Sequence, residues 1–209
     1  MRYFLGMLLV LLAACAPQGD ATLHLHGVSW YADSGVVLGA LEESVVPANV
    51  ASVPERALVL PFVLEGEAQH RRAISVGLTG TLCDVWRRLR VFAALEFDAD
   101  TRVSSREEAL AWARTKGATV LVTGRLHPVL VGGGLGRTEI GVQVEAVWVP
   151  TGQTYWSASQ AGVLEGAPAR DYVVVRRVER LPRHPEVAVM AAIAESLGRA
   201  YLAHGEEMP

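Results

Sequence analysis

Few residues in this chain have the types and spacing that chemistry needs. His24 and His26 lie two apart, so on a strand they point to the same side and could share a metal ion. No third ligand stands nearby, and the expectation is a pair of exposed histidines on an arm. Cys83 has Arg87 and Arg88 close in sequence, the electropositive setting that activates a thiol. It also lies beside Leu82 and Trp86 in a helical apolar pattern, where cysteine packs as a small hydrophobe, and packing is the expectation. The run Gly132-Gly133-Gly134-Leu135-Gly136-Arg137 invites a phosphate-loop reading. Such a loop needs a helix directly after it and a closing Lys-Ser or Lys-Thr, whereas strand-like alternation follows here. It is expected to be a connection between strands. Asp98 and Asp100 are the kind of carboxylate pair a glycosidase uses, but sequence spacing does not set the carboxyl separation. Arg176, Arg177, Arg180 and Arg183, beside Glu179, could dock an anionic lipid or a glycan; a solvated loop balanced by nearby acids is the expectation. No nucleophile elbow, zinc-protease helix or Walker loop is present. The chain is therefore expected not to be an enzyme and to carry no cofactor and no metal.

The amino terminus points to a covalent modification instead. Met1-Arg2-Tyr3 supplies a positive charge, Phe4 to Leu12 is apolar, and Ala13-Ala14 are small. This is a secretory signal, too short to serve as a permanent membrane span. Leu12-Ala13-Ala14-Cys15 resembles the bacterial lipobox. The resemblance implies cleavage between Ala14 and Cys15, with Cys15 diacylglyceryl-modified and N-acylated (palmitate or a similar chain). Several acyl chains on one residue hold a protein at a bilayer, at about 0.8 kcal/mol per buried CH₂. Ala16, where an aspartate would signal inner-membrane retention, implies a periplasmic protein tethered to the outer membrane. The same reading separates Cys15 from Cys83, so no disulfide between them is expected.

The elements that would position any site are clearest between Ser104 and Trp156. Ser104 and Ser105 each have a glutamate three residues on, Glu107 and Glu108, which marks a capped helix start. Ala109, Leu110 and Ala113 give that helix an apolar face, and Gly117 closes it. Ala118-Thr119-Val120-Leu121-Val122-Thr123-Gly124 reads as a strand covered on both faces. From Thr138 to Val149 strict alternation places Ile140, Val142, Val144, Ala146 and Trp148 on one side, with Gly141, Gln143 and Glu145 on the other. Pro150-Thr151-Gly152-Gln153 is turn chemistry, and Thr154-Tyr155-Trp156 begins a return strand. Earlier, Arg56 to Phe62 reads as a buried strand, Glu67 to Arg90 as a helix and Val91 to Phe97 as a strand. Later, Tyr172 to Val175 reads as a strand leading into the arginine loop. Pro185 opens a final helix whose stripe is Val187, Met190, Ile193, Ala194, Leu197 and Tyr201. Residues 32–55 resist assignment. The net charge of −3 gives no footprint for nucleic acid.

Three pieces in order, Leu58-Val59-Leu60-Pro61-Phe62, Leu121-Val122-Thr123-Gly124-Arg125-Leu126, and Val142 to Trp156, resemble the periplasmic α/β domain of curli-secretion-type (CsgG-like) lipoproteins. They also resemble the Pel polysaccharide-secretion lipoprotein, flagellar accessory lipoproteins and the amino-terminal domain of TolB. No clear pair of membrane-spanning strands is present, so the Pel-type ring lipoprotein is the closer analogue. The resemblance implies an α/β (α+β) fold in a single domain: a mixed sheet with helices packed on it, an antiparallel hairpin in the carboxyl half and a carboxyl-terminal helix. The expected organisation is a signal peptide over 1–14, a lipidated tether and irregular segment over 15–55 and the α/β domain over 56–204. The expected role is a non-catalytic, outer-membrane-anchored accessory or scaffold in envelope export or assembly. Its partners would be the membrane through Cys15 and copies of itself or another envelope protein, with a glycan as a further candidate. The alternative is a lipoprotein that regulates an envelope enzyme such as a peptidoglycan synthase. Trp148, Trp156 and Arg125 are the candidate interface residues.

Overall fold

The β-branched run at Val120–Val122 becomes the middle of a sheet because helices lie against both of its faces. The computed structural model of the chain describes residues 28–33, 35–46, 55–127, 136–166, 170–171, 175–180 and 182–206. In chain order the elements are β1 (Val28–Asp33), β2 (Val37–Leu38), β3 (Glu42–Val45), β4 (Arg56–Val59), β5 (Val63–Leu64), α1 (Arg71–Leu89), β6 (Ala94–Phe97), α2 (Arg106–Thr115), β7 (Val120–Leu126), β8 (Thr138–Trp148), β9 (Gln153–Leu164), β10 (Arg170–Asp171), β11 (Val175–Arg180) and α3 (Pro185–Glu206). The chain divides into two compact units, Gly35–Gly166 with Pro182–Pro209, and Met1–Ser34 with Ala167–Leu181.

The larger unit has the expected α/β class. Its eight-stranded sheet runs β2-β9-β8-β7-β4-β6, with β3 also paired to β9 and β5 to β7. The β4–β6 and β4–β7 pairs are parallel, and β7–β8 and β8–β9 are antiparallel. Val120, Leu121 and Val122 are completely buried. One sheet face carries α1 and α3. Trp86 Nε1–H donates to the Ala194 carbonyl at 2.9 Å, locking the two helices together, and Gly162 on β9 leaves room for Val189 and Ile193 of α3. The other face carries α2, whose Ala109, Leu110 and Ala113 pack on Leu58, Leu121 and Val147. Each large side chain so buried contributes about 1.5–3 kcal/mol. A ten-residue helix reaches only one end of the sheet. The rest of that face presents Thr123, Gln143, Glu145 and Ser159, all partly exposed.

Local chemistry explains several boundaries. Ser105 caps α2 by accepting the Glu108 N–H at 3.1 Å, and the Glu108 carboxylate reaches back to Ser104 N–H at 2.8 Å. Helix α1 starts at Arg71 rather than Glu67 because His70 takes a left-handed turn (φ 59°) immediately before it. β6 starts at Ala94 rather than Val91 because the Val91 N–H is used to close α1 on the Trp86 carbonyl, with Arg90 left-handed at the cap. Val187, expected in the buried stripe of α3, is 41 % exposed in the first turn, while Met190, Ile193, Ala194 and Leu197 are fully buried. Residues 37–45 supply β2 and β3, both antiparallel to β9. The larger unit therefore takes in chain ahead of the start expected at 56.

In the smaller unit β11 pairs with β1 in parallel and with β10 antiparallel. Arg176, Arg177 and Arg180 therefore stand in a strand, not in the loop their composition suggested. Pairing with a segment almost 150 residues away overrides a local charge pattern.

Candidate functional site

Alternation predicts opposite faces for Tyr155 and Trp156, yet both side chains meet α3. The cause is a bulge. Ala146 pairs with Trp156 and Val147 with Thr154, which leaves Tyr155 surplus in β9. Tyr155 and Trp156 then both contact Tyr201, with the Trp156 and Tyr201 rings 5.2 Å apart and edge-on. Trp148 stacks edge-on to Tyr155 at 6.3 Å.

Two carboxylates are held in this aromatic packing. Tyr201 O–H donates to Glu55 Oε2 at 2.6 Å. The Tyr155 and Tyr201 hydroxyls are 2.7 Å apart, and Tyr155 Oη is 3.3 Å from Glu55 Oε1. Each tyrosine has one proton, so the shorter contacts define a relay from Tyr155 to Tyr201 to Glu55. Burial holds the Glu55 carboxyl above its ordinary value, and the tyrosine hydrogen bonds pull the other way. Burial also raises both phenols, with Tyr155 and the adjacent carboxylate adding to the shift at Tyr201. Alongside, Glu43 Oε1 accepts Trp156 Nε1–H at 2.8 Å and lies 2.8 Å from His204 Nε2. Shifted acids in a cleft are candidates for catalysis. Here each is committed to a neighbour inside the packing, with Glu55 only 8 % exposed. The cluster fastens the carboxyl end of α3 to the hairpin.

The accessible polar groups lie on the open half of the other face. A cavity of about 420 Å³ there is lined by Ser104, Arg106, Thr123, Arg125, Gln143 and Glu145 among others. Arg106 Nη2–H donates to Thr154 Oγ1 at 2.9 Å and to the Gly152 carbonyl at 3.1 Å, and Nη1 is 3.5 Å from Glu145. Arg125, exposed, lies 3.7 Å from Glu65, which also accepts from His127 Nδ1–H at 3.0 Å. These groups suit recognition: cations, a carboxylate, an amide and hydroxyls around the cavity, with the Ser104 hydroxyl donating to the Glu108 carboxylate at 2.9 Å.

The residues singled out from sequence are scattered. Trp156 is fully buried, which corrects its reading as an interface residue: α1, α3 and Glu43 enclose its ring. Trp148 is half-buried and Arg125 exposed. Cys83 is buried and its thiol is pushed up to about 12, chiefly by burial. Asp98 accepts from Thr101 N–H and Trp112 Nε1–H, one on each carboxylate oxygen. Cys15, Ala14, His24, His26 and the 132–135 glycines lie outside the described residues. Among the described residues no group of three ligating side chains could hold a metal, and no helix is long and apolar enough to cross a membrane. Sequence reasoning missed Glu55, Tyr155 and Tyr201 as partners. The only local signal was a buried tyrosine stripe position on α3 with nothing assigned to its hydroxyl.

Comparison with protein-family profiles and with curated sequences yields no match. Solved structures do match in fold. The chain is similar to PelC from Paraburkholderia phytofirmans, described as a dodecamer, with TM-score 0.52 at 17% identity over 76% of this chain and 96% of that one. A point variant of the same dodecamer gives TM-score 0.50 at 17% identity, covering 79% of this chain and 98% of that one. Lipoprotein GNA1162 from Neisseria meningitidis gives TM-score 0.44 at 12% identity over 70% and 99% of the two chains, an overlap too low to carry an argument. Identities of this size speak to fold alone.

Proposed function

We propose that this protein is a non-catalytic accessory of the bacterial cell envelope, anchored to the outer membrane through acylated Cys15 and working as an assembly of several copies. The observation that carries the reading is the likeness in fold, over 76% of this chain and 96% of the matched one, to a protein described as a dodecamer. The lipobox at Leu12–Cys15 supports the location. The site chemistry agrees: Glu55, Tyr155 and Tyr201 are internal fastenings, while the sheet-face cavity offers polar and apolar side chains suited to protein contact. Such an accessory holds other components of an export or assembly machine in place.

Sedimentation velocity on the mature chain bearing Cys15→Ser tests the assembly. A species several times the mass of one chain is expected at tens of micromolar protein. A strict monomer, both lipid-free and as the acylated protein in detergent, would overturn the reading. Radiolabelled palmitate incorporation that persists in Cys15→Ser would overturn the anchor separately.

A further inference from the structure

The outer side of α2 carries a stripe that the fold does not use. Ala111 and Trp112 lie three and four residues after Glu108, and Thr115 four and three after them, on a face away from the buried Ala109, Leu110 and Ala113. Trp112 is 37 % exposed, whereas Trp86 and Trp156 are wholly buried. Between this stripe and the chain at Thr101–Val103 lies a cleft of about 420 Å³, within the size range of small-ligand sites.

The cleft is held rigidly. Trp112 Nε1–H donates to Asp98 Oδ2 at 2.9 Å, which fixes the indole plane. Asp98 Oδ1 accepts Thr101 N–H at 3.1 Å. From α1, Arg72 donates to the carbonyls of Ala99 at 2.7 Å and Asp100 at 2.9 Å, so the loop wall is tied from below. Lys116 Nζ lies 5.4 Å from the Trp112 ring centroid and is itself held by Glu96 at 2.9 Å. Burial works to raise Asp98, but the bonds from Trp112 and Thr101 and the charge of Lys116 outweigh it and keep the carboxylate ionised. An exposed indole fixed in this way loses little freedom on binding a ligand.

We propose that this cleft binds a neutral glycan, with one sugar ring stacked on the indole of Trp112. The walls have the amphiphilic pattern of a pyranose. Trp112, Val103 and Ala111 offer an apolar floor for its C–H face, and Thr101, Arg102, Glu108 and Thr115 offer donors and acceptors for its hydroxyl rim. The lining holds one guanidinium, Arg102, and one carboxylate, Glu108, which gives no net bias toward a charged sugar. A helix and a loop line the cleft and no strand edge does, so an extended peptide finds no main-chain ladder to join. The site does not depend on the assembly of copies.

The test uses the mature chain with Cys15→Ser, titrated with the tetraoses of glucose, N-acetylglucosamine, mannose and galactose, and separately with the apolar dye anilinonaphthalene sulfonate. Binding is followed by isothermal titration calorimetry in every protein and, in the parent, by the Trp112 indole N–H resonance. At least one tetraose is expected to shift that resonance saturably in the parent, and Trp112→Ala should weaken the calorimetric affinity roughly tenfold, the equivalent of one lost aromatic contact. Trp112→Phe keeps a ring but loses the tie to Asp98 and should fall between the two. It also serves if Trp112→Ala melts early. No saturable shift with any tetraose up to about 10 mM, a range that reaches weak millimolar affinities, overturns the proposal. So does unchanged affinity in both variants, and so does binding of the dye alone, which would make the cleft a site for an apolar ligand.

Discussion

Replacing Tyr201 by phenylalanine tests the relay at the end of α3. The variant removes one hydroxyl and keeps the ring that packs on Phe92 at 5.1 Å and on Trp156 at 5.2 Å. The lost bond is one of 2.6 Å to the Glu55 carboxyl, which is 8 % exposed, and it is charge-assisted wherever that carboxyl is ionised. Bonds of that kind are worth about 1.5–3 kcal/mol. Tyr155, freed from Tyr201, already lies 3.3 Å from Glu55 and can take over part of the role, which favours the lower figure. At about 2–4 °C per kcal/mol for a chain of this size, melting should fall by about 3–12 °C. The effect should depend on pH. Folded Glu55 holds its proton to a higher pH than its ordinary value of 4.5, so its contribution to stability is full below that value and declines as pH rises through the folded one. Once protonated, it needs no charge-assisted donor, and the loss should shrink to about 0.5–1.5 kcal/mol. Urea unfolding of both proteins at about pH 4 and about pH 7 reads this directly. A loss below about 0.5 kcal/mol at both pH values would refute the relay.

Two further outcomes follow from packing. Gly124→Ala should destabilise the protein by about 1–3 kcal/mol, because a Cβ there would stand 2.5 Å from the Gln143 carbonyl oxygen and 2.8 Å from the Phe62 ring; a chemical-denaturation midpoint equal to the parent's would count against that crowding. Cys83 should resist a thiol reagent at pH 8 in the folded Cys15→Ser protein and react only on unfolding, since its thiol is enclosed and pushed up to about 12. Labelling at the rate of a free thiol would refute this.

Elements set by short-range chemistry were legible in the sequence. The serine cap of α2, the buried Val120–Val122 run and the β8–β9 hairpin around Gly152 each carry their cause within a few residues. Pairings that join distant segments were not legible. β2 and β3 are short and partly exposed, and only β9 makes strands of them. Likewise β11 is a strand because β1 lies beside it. The site followed the same division. Glu55, Tyr155 and Tyr201 come from three regions of the chain, and no spacing rule links them. Trp112 was hidden by its own setting, because a tryptophan on a polar helix stripe has no meaning until the Asp98–Val103 loop is seen to face it.

The surplus residue in β9 makes the length of this hairpin decide which rings face α3. A one-residue slip in a strand turns every side chain beyond it to the other face. Here, removing one between Thr151 and Trp156 would restore an unbroken two-residue rhythm up to the turn and leave one aromatic ring, not two, turned toward α3. Homologues with a shorter strand at this point should therefore lack the tyrosine pair as a unit, and a chain that keeps the extra residue should keep Glu55 with it.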